Sequence, residues 1–210
     1  MPQLQGRLVR LEPLAMSHAH GYLAAAGTGD DAEAVFRWLT PPQGSRARPP
    51  LDLGDAQAHI RAGLAGRARG ERFPYAQFDV LGDRFIGTTS LYEVVPAVRT
   101  LAIGHTWLGR AWWRTGHNTE SKLLLLRYAF DDLGAARVVW HTDIHNERSQ
   151  AAIARLGATR EGVLRKHRVR FDGTWRDTVQ YAMTDDDWPE ARDRLTARLE
   201  AGLSAAPAAD

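Results

Sequence analysis

"AWWRTGHNTESKLLLLRYAF", residues Ala111–Phe130, passes from a basic, aromatic turn straight into an apolar helix. The stretch before it, Arg99–Leu108 ("RTLAIGHTWL"), reads as a strand. A strand, a turn bearing Gly116 and a helix from about Asn118 gather several backbone N–H groups at one helix end. Such an end carries partial positive charge and holds anions. Arg114 adds a fixed charge with phosphate-binding geometry, and Asn118 and Thr119 can cap or donate. The same residues also describe an ordinary capped helix start. Neither the P-loop lysine–serine signature nor the dinucleotide glycine fingerprint is present.

Strands surround this unit. Gly6–Leu14 alternates apolar and polar residues, Phe73–Val80 and Arg84–Val94 read as two strands joined by a tight "LGD" turn, and Ala136–Ile144 reads as a buried strand. Glu161–Thr184 reads as two more strands around a hairpin turn at Asp172-Gly173. Helices are expected over Met16–Gly27, Asp31–Leu39, Asp55–Gly70 with Asp55 as N-cap, Asn146–Ala158 with a Gly157 stop, and Asp185–Leu203. "GTGDD" (Gly27–Asp31) is a breaker, and Thr40–Gly54, with four prolines, is a loop bordering the site. No internal repeat or domain boundary interrupts the chain. One α/β domain with a mixed sheet is expected over 1–200, and a disordered tail over 201–210.

Bulk composition closes off several classes. At 210 residues, 44% hydrophobic and 25% charged, the chain suits one globular domain. No apolar run approaches the ~18 residues of a membrane-spanning helix. The first residues lack the apolar core of a signal peptide, so a cytoplasmic location is expected, with no membrane partner. The absence of cysteine removes disulfides, thiolate metal sites and a cysteine acyl-enzyme. Lys122 and Lys166 are the only lysines, which leaves 25 arginines (27 minus 2), spread along the chain. No basic cluster interleaved with aromatics points to nucleic acid. Trp107, Trp112, Trp113 and Trp140 read as packing rather than a base-stacking platform. His105, His117, His141 and His145 fall on strands and turns without helical spacing or a matching carboxylate set, so no metal is expected.

The segments Thr106–Phe130 ("TWLGRAWWRTGHNTESKLLLLRYAF") and Val138–Gly162 ("VVWHTDIHNERSQAAIARLGATREG") resemble the GNAT superfamily of acyl-CoA N-acyltransferases. Within it they look most like the ribosomal-protein N-terminal acetyltransferases of the RimJ/RimL type. The resemblance extends from Gly6 to Trp188, and its more specific motif is Asn146-x-x-Ser149 before Arg155–Ala158. It implies the GNAT fold: a mixed, mostly antiparallel twisted sheet flanked by helices, with two central parallel strands splayed for the cofactor. By resemblance those strands are Leu101–Leu108 and Arg137–Asp143, the pantetheine arm of acetyl-CoA runs between them, and the turn cradles the pyrophosphate. The family's loop pattern, Gln/Arg-x-x-Gly-x-Gly/Ala, falls on Trp113–Asn118. Gly116 matches, whereas Trp113 and Asn118 depart, with Arg114 as a compensating donor. The implied cofactor-binding residues are Trp107, Leu108, Arg114, Thr115, Gly116, His117, Asn118, Thr119, Asn146 and Ser149.

Acyl transfer to an amine needs a neutral nucleophile, a polarised carbonyl and a proton for the leaving thiolate. The resemblance implies direct attack in a ternary complex, with backbone N–H groups at a bulge around Trp107 and Leu108 polarising the carbonyl. Related enzymes often carry Glu where Ala102 stands, so the base candidates are Glu93, His105 and Asp143. The tyrosine acid of many members falls on Ile153, leaving Ser149 as proton donor or, alternatively, as a first-turn cap. An α-amine with pKa about 7.8 is roughly 30% neutral at pH 7.4, against roughly 0.1% for a lysine amine. A site without a dedicated carboxylate therefore favours an α-amine. The expected acceptor is a protein or peptide N-terminus, such as that of a ribosomal protein. The alternatives are a small amine (antibiotic or metabolite) and a non-catalytic CoA-binding module. Homodimerisation through an exposed sheet edge is also expected.

Overall fold

The computed structural model describes residues 1–39, 49–170 and 172–204. Eight strands, β1 (Leu4–Gln5), β2 (Val9–Pro13), β3 (Arg72–Asp79), β4 (Arg84–Val95), β5 (Thr100–Leu108), β6 (Arg137–Asp143), β7 (Thr159–Val169) and β8 (Trp175–Thr184), form one open sheet. Their order is β1-β2-β3-β4-β5-β6-β8-β7. Every neighbouring pair is antiparallel except β5 and β6, which run parallel and share three register positions: Thr100↔Arg137, Leu101↔Val138 and Ala102↔Val139.

Beyond Ala102 the central strands part. Between the pairs Ser90↔Gly104 and Thr88↔Trp107, His105 and Thr106 stand opposite Thr89 alone, and His105 adopts φ +48°. A bulge of this kind bends its strand and takes a residue out of the ladder. A second bulge lies on β4, where Glu93 has φ +49° and shares with Val94 the space opposite Leu101. The splay expected from the resemblance is thus present, with its bulge two residues earlier than the Trp107–Leu108 expected. Those two residues are instead paired with Thr88 and Gly87.

Six helices cover the sheet: α1 (Ala19–Ala26), α2 (Gly29–Phe36), α3 (Leu53–Ala68), α4 (His117–Arg127), α5 (Glu147–Ala154) and α6 (Trp188–Ser204). Successive residues of a strand point to opposite faces. Tyr75, Ile86 and Leu108 accordingly join the core of Leu123, Leu125 and Leu126 of α4 and Leu195 of α6. Their chain neighbours Ala76, Phe85 and Trp107 join Tyr22 of α1, Phe36 of α2 and Ile60 of α3. Both faces of the central strands are covered, so β3 and β4 carry unbroken runs of buried residues instead of alternating buried and exposed ones. No helix among the described residues is long and apolar enough to cross a membrane.

Several boundaries differ from expectation. α2 begins inside the expected breaker, because Gly27 (φ +75°) makes the turn and Asp30 and Asp31 suit the first turn of a helix. The cap of α3 is Asp52, not Asp55: Asp52 Oδ1 accepts from Asp55 N at 2.8 Å, and the helix takes Leu53 and Gly54 from the expected loop. Residues 40–48 of that loop lie outside the described residues. The β7–β8 turn is wider than a two-residue hairpin, with Arg170 N–H donating to Thr174 O and Gly173 N–H to Arg170 O. α6 runs to Ser204, past the expected boundary at 200, and 205–210 lie outside the described residues.

α4 is fastened to the sheet by polar groups as well as leucines. Glu120, Ser121 and Lys122 are consecutive and all buried. The Glu120 carboxylate accepts from three successive backbone N–H groups, those of Arg7 (2.9 Å), Leu8 (2.7 Å) and Val9 (2.7 Å). A Cβ on Gly6 would lie 2.4 Å from its Oε2, so the chain needs glycine there. Ser121 Oγ donates to Gln77 Oε1 (2.6 Å), whose amide nitrogen donates to the carbonyls of Thr88 and Trp107. Lys122 Nζ donates to Thr89 Oγ1 (2.9 Å) and Thr106 Oγ1 (2.7 Å), the two sides of the β5 bulge.

Two outcomes follow for stability. Glu120→Gln turns a donor toward three donors, and is expected to cost about 2–4 kcal/mol in denaturant unfolding. An unchanged midpoint would contradict the anchoring role. Burial pushes Lys122 down to about 7, against about 10.4 in an unfolded chain. Between those values the unfolded state holds the extra proton, so stability contributed by this residue rises with pH, by at most about 1.4 kcal/mol per unit. Lys122→Met should flatten the rise in unfolding free energy between about pH 7 and about pH 9. Parallel slopes in the two proteins would refute the assignment.

Candidate active site

The gap between β5 and β6 opens into a cavity of about 850 Å3. One end is built by the turn before α4 and the start of α5. Arg110, Trp113, Arg114, Thr115, Asn118 and Thr119 line it from the turn, and Asn146, Arg148 and Ser149 from α5. Trp113 has two guanidiniums over its ring, that of Arg148 at 3.5 Å and that of Arg110 at 4.3 Å from the centroid. Its indole N–H donates to Leu108 O at 2.8 Å. Burial, and then the charge of Arg110, lowers the pKa of Arg148. Trp113 therefore serves as a plate that holds two cations beside the helix end, a use its place in the sequence did not announce. Arg110 and Arg148 were missed at the sequence level. The available signal was the adjacency of Arg148 to the Asn146–Ser149 motif.

Two expected turn residues face elsewhere. A Cβ on Gly116 would fall 2.6 Å from Leu8 Cδ1, so glycine here makes room for the N-terminal segment. His117 is buried, with Nε2 3.1 Å from Asp79 Oδ1, Nδ1 2.9 Å from Thr115 Oγ1 and its ring edge-on to Trp112. Its side chain holds the turn to β3. The residue with left-handed backbone in the turn is Arg114, at φ +63°. In α5, Asn146 is the cap, accepting from Ser149 N at 3.1 Å. The Ser149 hydroxyl is thereby released from the capping task and lines the cavity.

Along β5, the edge from Ile103 to Leu108 has β4 on one side and no ladder partner toward β6. An extended chain with amide groups fits that edge, and phosphates fit the Arg110–Arg114–Arg148 end. The residues present therefore suit acetyl-CoA.

The expected bases fare less well. His105 lines the cavity, but burial, followed by Arg72, Arg168 and Arg176, pushes it down to about 3, leaving little proton affinity. Glu93 does not line the cavity; half exposed, it lies 3.4 Å from Arg168 Nη2 and 3.8 Å from His141 Nδ1. Asp143 is the one carboxylate among the described lining residues. Burial acts to raise its pKa, yet the Arg170 fork (2.7 and 3.0 Å), the His145 N–H and Arg176 together hold it below the usual value. It is clamped.

A proton chain unforeseen in the sequence crosses the same region. Tyr92 Oη lies 3.1 Å from His141 Nδ1, and His141 Nε2 lies 3.2 Å from Gln180 Oε1. Gln180 Nε2 donates to Glu161 at 3.0 Å, which is in turn held by Arg137. With the amide nitrogen so engaged, Gln180 offers its oxygen, so the His141 proton sits on Nε2 and Nδ1 accepts from Tyr92. Burial foremost lowers His141 and raises Tyr92 to about 12, so both stay neutral. Among the described residues no group of three or more His, Asp or Glu is arranged to hold a metal ion.

The acetyltransferase (GNAT) domain matches residues 22–159. A Bacillus subtilis (strain 168) protein named as a probable N-acetyltransferase, YjcK, is 31% identical over 185 residues, covering 88% of this chain and 98% of that one. The ribosomal protein uS5-alanine N-acetyltransferase of Escherichia coli (strain K12) is 30% identical over 125 residues, 59% of this chain and 63% of that protein. Among solved structures, a GCN5-related N-acetyltransferase from Brucella melitensis superposes with TM-score 0.86 at 29% identity, covering 94% of this chain and 85% of that one. Mycobacterium smegmatis RimJ, in complex with CoA-disulfide, shares the fold with TM-score 0.77 at 23% identity, covering 94% and 93%. The chain belongs to the GNAT family: it is an acetyl-CoA-dependent N-acetyltransferase whose relatives include ribosomal-protein acetyltransferases of the RimJ/RimL type.

Proposed function

We propose that this enzyme acetylates the α-amine of a protein or peptide. One observation carries the reading: the cavity joins a cation-rich helix end to an open strand edge, yet holds no carboxylate free to take a proton. A lysine acceptor, protonated almost entirely at neutral pH, needs such a base far more than an α-amine does. The uS5-alanine acetyltransferase relative supports a protein acceptor.

In this reading Arg110, Arg114 and Arg148, with Thr115, Asn118 and Thr119, hold the cofactor phosphates, and the Ile103–Leu108 edge holds its amide-bearing arm. Acetyl-CoA supplies the activated acetyl group. The bulge at His105–Thr106 leaves a strand N–H outside the ladder as a donor to the carbonyl oxygen, the kind of preorganised dipole that counts most in acyl transfer. The Tyr92–His141 pair accepts the amine proton, and Ser149 donates to the leaving sulfur.

Mass spectrometry of peptides carrying both an α-amine and an internal lysine should place the acetyl group on the α-amine. The rate at low acceptor concentration should climb with pH through the acceptor's own pKa, about 7.8. Predominant lysine acetylation, or turnover confined to a small amine, would overturn the proposal. Ser149→Ala should lower kcat on the order of 10- to 100-fold with little change in the KM for acetyl-CoA. Because Asn146 supplies the cap, the same variant should melt within about 1 kcal/mol of the parent. An unaltered kcat would remove Ser149 from the chemistry.

A further inference from the structure

The hydrogen bonds that fasten Lys122 leave one proton poorly placed inside the protein. Lys122 of α4 and Thr106 of β5 line the cavity, whereas Thr89 of β4 is fully buried. Lys122 is the one lysine among the described lining residues; the arginines there include Arg168 of β7 and Arg176 of β8. Trp107 packs among α1, α2 and α3, and its chain neighbour Thr106 points to the opposite face, toward α4. There three polar atoms form a triangle. Lys122 Nζ lies 2.7 Å from Thr106 Oγ1 and 2.9 Å from Thr89 Oγ1, and the two hydroxyls are 2.8 Å apart.

The triangle decides where the hydroxyl protons go. An ammonium has donors and no acceptor, so Lys122 gives one proton to each hydroxyl. The Thr89 proton then has a single acceptor among the described residues, Thr106 Oγ1. Thr106 Oγ1 thereby accepts twice, which uses both lone pairs, and its own proton points away from the triangle. Among the described residues it finds only Gly104 O, at 3.4 Å, beyond the usual reach of an O–H donor. The other direction is the cavity. Burial pushes Lys122 down to about 7, and in the amine form the three groups can instead close a ring of donors. Negative charge developing nearby favours the ammonium, so the outward donor is strongest when a reaction creates that charge.

We propose that the Thr106 hydroxyl donates a hydrogen bond to the acetyl carbonyl oxygen, beside the bulge N–H, with Lys122 and Thr89 as the positioning residues that aim it. The inference rests on the reading that lays the amide-bearing arm of acetyl-CoA along Ile103–Leu108. Thr106 belongs to that edge and to the bulge itself, so both donors come from one point of the strand. As the amine attacks, the carbon–nitrogen bond forms and the carbonyl electron pair moves onto oxygen, where Thr106 meets the charge and keeps its proton. The pair returns as the carbon–sulfur bond breaks. The amine proton still passes to the Tyr92–His141 pair, and the sulfur still takes one from Ser149. A donor fixed before the charge appears needs no reorganisation at the moment of reaction, and the ammonium behind the hydroxyl polarises it further.

The test compares Thr106→Val, Thr106→Ser and Thr89→Val in the whole chain. Each valine variant takes one acceptor from Lys122, so loss of anchoring alone would affect the two alike. Thr106→Val also removes the outward donor. It should lower kcat on the order of 100-fold, the scale of one lost oxyanion donor, with little change in the KM for acetyl-CoA. Thr106→Ser keeps the hydroxyl and should retain most of the activity, and Thr89→Val should lose far less than Thr106→Val. Should Thr106→Val fail to fold, Thr106→Cys replaces it, since a thiol is a weak donor. Equal losses in the two valine variants, an unaltered kcat, or a loss confined to KM would each overturn the role of the hydroxyl. Amide exchange along Ile103–Leu108 separates that result from failure of the reading beneath it. Protection there on adding acetyl-CoA, with kcat unaltered in Thr106→Val, overturns the inference alone. Absence of protection removes the placement of the arm on which it rests.

Discussion

The Glu120 carboxylate, wrapped by the N–H groups of Arg7, Leu8 and Val9, is the contact on which the geometry of the enzyme depends. A buried carboxylate is tolerated when its oxygens are hydrogen-bonded, and three charge-assisted bonds, one to Oε1 and two to Oε2, supply this. The bond set fixes α4 in rotation and height against the sheet. Once Glu120 is placed, Ser121 reaches Gln77 and Lys122 reaches the Thr89–Thr106 pair without further adjustment. The arginine-bearing turn leads directly into that helix, and the β5 bulge is where Lys122 ends. The proposed anion and acyl sites are therefore held at a fixed spacing by one helix.

The same helix shows how a polar core can specify what an apolar one would leave loose. Leucines at 123, 125 and 126 supply burial, but they would accept small slides of the helix over a flat apolar surface. Hydrogen bonds with defined partners do not. The electrostatics of the cavity follow a similar division. Its arginines sit at both ends, while between them lie hydroxyl, imidazole and backbone groups and the Lys122 amine, which burial pushes down to about 7. Such a cavity attracts anionic groups from two directions.

Much of the fold was legible because strands announce themselves by period and content. β3, β4, β5 and β6 lie within a residue or two of the expected runs, and the two motif segments pointed to the family. Boundaries set by a single side-chain bond were harder. Asp52 and Asp55 are equally good caps in the sequence, and it is Asp52 that accepts from the Asp55 N–H. At the site, Arg114, Asn118, Thr119, Asn146 and Ser149 were foreseen and do line the cavity. His117 was not distinguishable from them, because its partner Asp79 lies 38 positions away. Arg168 and Arg176 were hidden for a related reason, since among many arginines nothing local marks the two that a hairpin turns inward. Glu120 and Lys122 looked like ordinary polar helix residues. Their burial depends on strands that the sequence cannot place beside them.

The parting of β5 from β6 after Ala102 and Val139 has a mechanical meaning. Strands β1–β5 and β6, β8 and β7 form two leaves joined by a short parallel seam at one end. Beyond the seam, β5 and β6 share no ladder bonds, and the two leaves are held by the core that packs against both. A molecule lying between them, bonded to one leaf and packed against the other, acts as a missing strand. Occupancy of the gap would supply hydrogen bonds that the ladder lacks there, and amide exchange along Ile103–Leu108 becomes a gauge of whether the gap is filled.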